Sequence, residues 1–182
     1  SEKAYPEAIA AFSRSLNNMD DPDKEFKKDV QFYLAQARMD YGEVDKAIEV
    51  YSEILKAGED EQAFFLRGKA YISMEDYKNA EKDFQRALEG CEDYNLYINI
   101  YQIYVDHNKA VDGDAYLKMA LELEPQDGED CYHRGRIYEY EKNYEAARDE
   151  LKTAMEQGYE DAMLLLGRVY LEMEDPASAR SM

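Results

Sequence analysis

The sequence predicts an all-α fold, a stacked array of helical hairpins, and three observations predict it. The first is a small residue followed three positions later by a tyrosine: Gly68…Tyr71, Gly135…Tyr138 and Gly167…Tyr170, with a weaker copy at Tyr101…Tyr104 and Ala35 in phase. That slot recurs at 35, 68, 101, 135 and 167, in steps of 33, 33, 34 and 32. The second is another small-residue slot on the same beat: Ala8, Ala47, Ala80, Gly113, Ala147 and Ala179. The third is a pair of apolar stripes of helical spacing within each period, divided by a short polar break. Length alone would allow one large or two small globular domains. A 33–34-residue period overrides that count, because each unit then touches only its neighbours and the array has no single central core.

The elements follow in order. "KAYPEAIAAFSRSL", in a partial unit over 1–20, reads as a second helix whose first helix is absent. The next step grows to 39 residues, with "NNMDDPDKEF" supplying the excess, and Pro22 and Asp23 read as the start of a lengthened helix. Four complete units run over 28–60, 61–93, 94–127 and 128–159. In the clearest, 61–93, Phe64, Gly68, Tyr71 and Met74 form one helical stripe, "EDY" breaks it, and Tyr77, Ala80, Phe84, Ala87 and Leu88 form the next. Gly90 stands where a C-cap glycine belongs. Gly68 and Ala80 let the two backbones approach, while Tyr71 and Phe84 fill the space beside them. A last partial unit, 160–182, ends on "DPASARSM", the beginning of another second helix. The sum is about ten helices plus a terminal stub. Neither end carries the polar cap usual in repeat arrays, which suggests an excerpt of a longer protein or ends that pack against something else.

These residues resemble the tetratricopeptide repeat (TPR) family. The order aromatic, small, tyrosine, alanine, aromatic, alanine is met in "AFFLRGKAY…AEKDFQRAL" and again in "CYHRGRIYEY…AARDELKTAM". The resemblance covers nearly the whole chain, 1–182, as a single array, and implies a right-handed α-solenoid of antiparallel helix hairpins. "AMEQGYEDAMLLLGRVYLEMED" is also somewhat similar to the Sel1-type repeat, though its 32-residue step suits the shorter repeat. Two departures stand out. Only Pro125 survives of the family's unit-ending prolines, and the unit 94–127 carries Tyr101 in a small slot and Gly113 where alanine is usual. That unit is expected to hold its helices further apart or to bend.

Composition narrows function. The net charge is −19, from 41 acids against 22 bases, which argues against nucleic acid and against an anionic membrane surface. The excess reads as a solvated face that keeps the array soluble. No stretch approaches the ~20 apolar residues of a membrane span, and no signal-like apolar run follows Ser1. Cys91 and Cys131 form neither a disulfide framework nor a CxxC pair. That usage leans toward the cytosol, and a lipoprotein clipped after its anchor would look the same. His107 and His133 lie in different units with no metal-ligand spacing around either. No GxSxG, phosphate-cradling loop or dinucleotide fingerprint is present. The reading is of a non-enzymatic chain without cofactor or metal.

Arg67 and Arg134 occupy a slot where other units carry Leu34, Ile100 and Leu166. Sixteen residues on, the arginine units have Asp83 and Glu150, whereas Val50 and Tyr116 stand at that place in units without arginine. Acid accompanies arginine, so helix-to-helix ion pairs Arg67–Asp83 and Arg134–Glu150 are expected. The slot after each small residue runs the other way, through Gln36, Lys69, Gln102, Arg136 and Arg168, without an acid. The family resemblance places this slot on the first helix of each hairpin, facing the concave groove, beside Phe32, Tyr33, Phe65, Asn99, Tyr132, His133 and Tyr140. The expected site is a peptide-binding groove. Lys69, Arg136 and Arg168 supply charge, Gln36, Gln102 and Asn99 hydrogen bonds, and Phe32, Phe65, Tyr132 and Tyr140 packing, for an extended and partly acidic peptide. The clamp by which chaperone-binding members of the family hold a C-terminal carboxylate is not matched. Its sites fall on Phe65, Lys69, Asn99, Glu129 and His133, of which only Asn99 fits. The expected role is a protein–protein interaction scaffold; the alternative is a spacer or an array that self-associates through its ends.

Overall fold

Ten α-helices account for most of the described residues, 4–19 and 23–174 of the computed structural model. They are α1 (Ala4–Asn17), α2 (Lys24–Tyr41), α3 (Val44–Ala57), α4 (Glu61–Ser73), α5 (Tyr77–Ala87), α6 (Tyr94–Asp106), α7 (Ala110–Leu121), α8 (Gly128–Tyr140), α9 (Tyr144–Glu156) and α10 (Ala162–Glu172). Pro22 and the stretch from Asp175, both read above as helix starts, lie outside the described residues.

Local chemistry explains the boundaries. Asp23, Asp60, Asp76, Asp93, Asp127 and Asn143 sit at N-caps and accept hydrogen bonds from otherwise orphaned backbone N–H groups. Part of the acid excess is therefore spent on helix starts, where negative charge also suits the helix dipole. The turn after each first helix has its own period: Gly42, Glu75, Asn108, Lys142 and Glu174 all take positive φ, between 57° and 87°. The position expected to cap α5 is different. That helix ends at Ala87 with Leu88 at its C-cap, and Gly90 (φ 74°) lies in the turn beyond.

The chain divides into two compact units, Ser1–Cys91 and Glu92–Met182. In the first, α1 to α5 pack each against the next. Leu34, Ala35, Ala47, Val50, Tyr51, Ile54 and Ala63 form one core, with Ile9, Phe12 and Leu16 of α1 laid against it. In α4–α5 a Cβ on Gly68 would meet the Phe84 ring at 2.7 Å, so the absent side chain is what lets the ring in. In the second unit α6–α7 is one hairpin and α8 to α10 pack in succession, around Cys131, Ala147, Leu151, Ala154, Leu166 and Val169. A Cβ on Gly135 would come within 2.7 Å of Leu151.

The expected separation in the hairpin 94–127 is not found. Tyr101 fills the slot that is small elsewhere, and glycine has moved to the facing helix. A Cβ on Gly113 would sit 2.9 Å from Tyr104 Cβ and 3.3 Å from the Tyr101 carbonyl. Bulk and space have traded sides, so α6 and α7 still approach closely.

Candidate functional site

The two arginines beside the small slot are held inside their hairpins. Arg67 donates from Nε and Nη2 to the two oxygens of Asp83, both at 2.7 Å, and from Nη1 to Ser52 Oγ at 2.9 Å. Asp83 is buried, and this fork gives each of its oxygens a charged hydrogen-bond donor. Arg134 donates from Nε to Glu150 at 2.9 Å and from Nη1 to the Leu123 carbonyl at 2.8 Å, an acceptor it shares with the Tyr94 hydroxyl.

In the first unit the groove candidates split into two groups. Phe32 and Phe65 are half-buried, their rings 6.3 Å from Tyr51 and 6.1 Å from Phe84, so both serve hairpin cores. Gln36 and Lys69 line a cavity of about 140 Å³ with Met39, Asp40, Tyr51 and Leu66. Gln36 donates to Asp40 at 2.7 Å. Lys69 is exposed and makes no ion pair among the described residues.

In the second unit α6 and α8 bring a polar group together. Arg136, half-buried, sets Nη1 3.2 Å from His133 Nδ1 and 3.4 Å from Asn95 Oδ1, and its guanidinium carbon lies 5.8 Å from the Tyr132 ring centroid. The other ring nitrogen of His133 is 2.9 Å from Asn95 Nδ2 and 3.7 Å from Glu129. Burial first, and the facing Arg136 cation second, push this imidazole below its ordinary 6.5, against a weaker pull from Glu129 and Asp93. Arg136 makes no ion pair among the described residues, and its Nε and Nη2 donate no hydrogen bond there. Asn99, one turn from Asn95, is exposed. Gln102 is exposed and donates to Asp106 at 2.8 Å. Tyr132 packs on Tyr159 at 5.1 Å, and Tyr140 on Tyr101 at 5.3 Å.

Arg168 is different. Its Nε and Nη2 donate to both oxygens of Glu139 at 2.5 and 2.6 Å, so its charge is already matched. Sequence reasoning missed two features: Glu139 as that partner, and Asn95 as the bridge between His133 and Arg136. Asn95 precedes Asn99 by four residues, which puts both on one helix face. That spacing was the available signal.

Among the described residues no group of three or more His, Cys, Asp or Glu could hold a metal ion, and no helix is long and apolar enough to cross a membrane.

The class defined by this fold is the α-solenoid of antiparallel helix hairpins. The tetratricopeptide repeat profile matches residues 61–93 and 131–157, and these two stretches are read as tetratricopeptide repeats. Among solved structures it is similar to BtubC from P. vanneervenii, at 19% identity over 98% of this chain and 87% of that one, with a TM-score of 0.66. It is similar also to the C-terminal part of a TPR repeat-containing protein from Cytophaga hutchinsonii (16% identity, 93% and 67% covered, TM-score 0.61). A third likeness is to MamA from Desulfovibrio magneticus RS-1 (16% identity, 88% and 91% covered, TM-score 0.53). At these identities the likeness is one of fold, the all-α solenoid of helix hairpins. No curated protein sequence matches the chain.

Proposed function

We propose that the first helices of the hairpins bind extended, partly acidic peptide segments, with Lys69 as the anchoring charge in the first unit and Arg136 in the second. Arg136 carries this reading. In a chain of net charge −19, a half-buried guanidinium stands beside an aromatic ring, an asparagine and a histidine, with its Nε and Nη2 donating no hydrogen bond among the described residues. A cation so placed is suited to a carboxylate supplied from outside. Gln36, Gln102 and Asn99 are the hydrogen-bonding groups, and Tyr132 and Tyr140 the packing surface. Arg168 contributes little because Glu139 already neutralises it, and Phe32 and Phe65 act through the cores behind the face.

The test is fluorescence polarisation with a labelled Glu-rich ten-residue peptide and its Gln-for-Glu counterpart. The acidic peptide should bind, more weakly as salt rises, and Arg136→Glu or Lys69→Glu should weaken it at least about tenfold. Arg168→Gln should leave it nearly unchanged. Equal binding of both peptides, indifferent to Arg136→Glu, would remove the proposal.

A further inference from the structure

Tyr51 carries a hydroxyl at a position where the other described second helices have hydrocarbon alone: Phe12, Phe84, Leu117 and Leu151. The residue is 1% exposed, and its hydroxyl makes no hydrogen bond among the described residues. A buried polar group without a partner costs free energy, so one that persists asks for an explanation. This hydroxyl is not sealed. Among the described residues the partnerless side-chain atom closed off from solvent is Arg38 Nε. The Tyr51 hydroxyl therefore opens on the cavity of about 140 Å³ that the residue lines with Gln36, Met39, Asp40, Leu66 and Lys69. All six belong to α2, α3 and α4 of the first unit.

The groups around the cavity define what it can hold. Burial first, and the Asp40 carboxylate second, push the phenol up to about 12, so it keeps its proton and remains a donor. Asp40 accepts from Gln36 with one oxygen, at 2.7 Å, and the other oxygen has no donor among the described residues. The Lys69 ammonium is unpaired there too. Met39 and Leu66, both half-buried, supply apolar wall. The cavity thus offers two donors and one acceptor over a hydrocarbon lining, in the space of a few waters or one side chain. A carboxylate entering it would meet Asp40, and a cation would meet Lys69. An uncharged group that both accepts and donates meets neither objection, and a carboxamide on an apolar stem is such a group.

We infer that this cavity is a socket for one glutamine side chain of a bound peptide, gripped by the Tyr51 hydroxyl, the Lys69 ammonium and the Asp40 carboxylate. The carboxamide oxygen accepts from Tyr51 and Lys69, its NH2 donates to Asp40, and its two methylenes lie on Met39 and Leu66. An ammonium has three donors, so Lys69 can serve the socket and an acidic residue of the same peptide. The inference rests on the peptide reading above for the source of the side chain. It adds to that reading a choice of residue that charge alone cannot make, because a site built to hydrogen-bond a group rejects the analogue lacking it.

The test follows the NMR signals of the Gln36 side chain and the Lys69 amide in the isotope-labelled 182-residue chain. Three probes that differ only in side chain are titrated to about 50 mM: the N-acetyl methylamides of glutamine, glutamate and leucine. The glutamine probe should shift both signals saturably, with Kd on the order of 10 mM, and the other two should bind at least about fivefold more weakly. Tyr51→Phe removes the hydroxyl and keeps the ring, so it should melt no lower than wild type yet lose the preference. Asp40→Ala should lose it as well. A glutamine probe that moves neither signal overturns the inference, as does a preference that survives Tyr51→Phe. Binding of the Glu-rich peptide without any response to the glutamine probe removes the socket and leaves the peptide reading standing. A saturable response to the glutamine probe without binding of that peptide upholds the socket and removes the acidic reading.

Discussion

At the scale of single residues, two buried charges dominate. Removing Arg67 would leave Asp83 in the α4–α5 hairpin without its fork. Arg67→Met is therefore expected to cost about 3 kcal/mol in urea unfolding, and the double change Arg67→Met/Asp83→Leu to recover most of it, because the pair orients more than it stabilises. His133 gives a pH prediction. Its imidazole titrates below 6.5, so the folded chain refuses a proton that the unfolded chain accepts. The residue has no effect on stability above about pH 6.5 and destabilises the fold progressively as pH falls below it. An NMR titration should find its ring neutral at pH 7, and Arg136→Gln should move its midpoint upward. An unchanged midpoint would mean that the cation does not act on it. The arginine–acid offset of sixteen was readable because it needs only helix register. The Asn95–His133–Arg136 group was not, because it depends on how α6 lies against α8.

At the scale of the helix and the hairpin, one substitution should have opposite signs at equivalent positions. Gly68→Ala and Gly135→Ala force a methyl onto Phe84 and Leu151, and the overpacking of about 1–3 kcal/mol should outweigh the helix-propensity gain of about 1 kcal/mol. Gly167→Ala meets nothing and keeps the gain, so it should stabilise α10. Thermal melts of the three variants decide this. The hairpin turns offer a second case. Glu75 and Lys142 hold φ near 58°, where a side chain is strained and glycine is not. Glu75→Gly or Lys142→Gly is expected to raise stability by about 0.5–1 kcal/mol. A loss instead would show that the side chain makes a contact worth more than the strain. The turn period was hidden in the sequence because four of its five positions are not glycine.

At the scale of the whole chain, the acid excess has identifiable uses: five aspartates cap helices, while Asp83, Glu139 and Glu150 hold arginines. Stability should be uneven, since α1 has no buried residue while α4, α5, α8 and α9 carry the glycine-fitted cores. Native-state hydrogen exchange should find α1 opening first, and equal protection of α1 and α5 would contradict that. The period, the hairpins and the small-residue slots were determined by the sequence itself, because a helix repeats its face every 3.6 residues and close helices require small side chains at fixed places. Tertiary structure alone decided which members of the basic slot have their charge matched by an acid. Gln36, Lys69, Gln102, Arg136 and Arg168 share one slot in the chain, yet Glu139 takes the charge of Arg168 while Arg136 makes no ion pair among the described residues. A charge is free or matched according to what neighbouring helices bring within ~4 Å of it, and that distance is set by packing rather than by register.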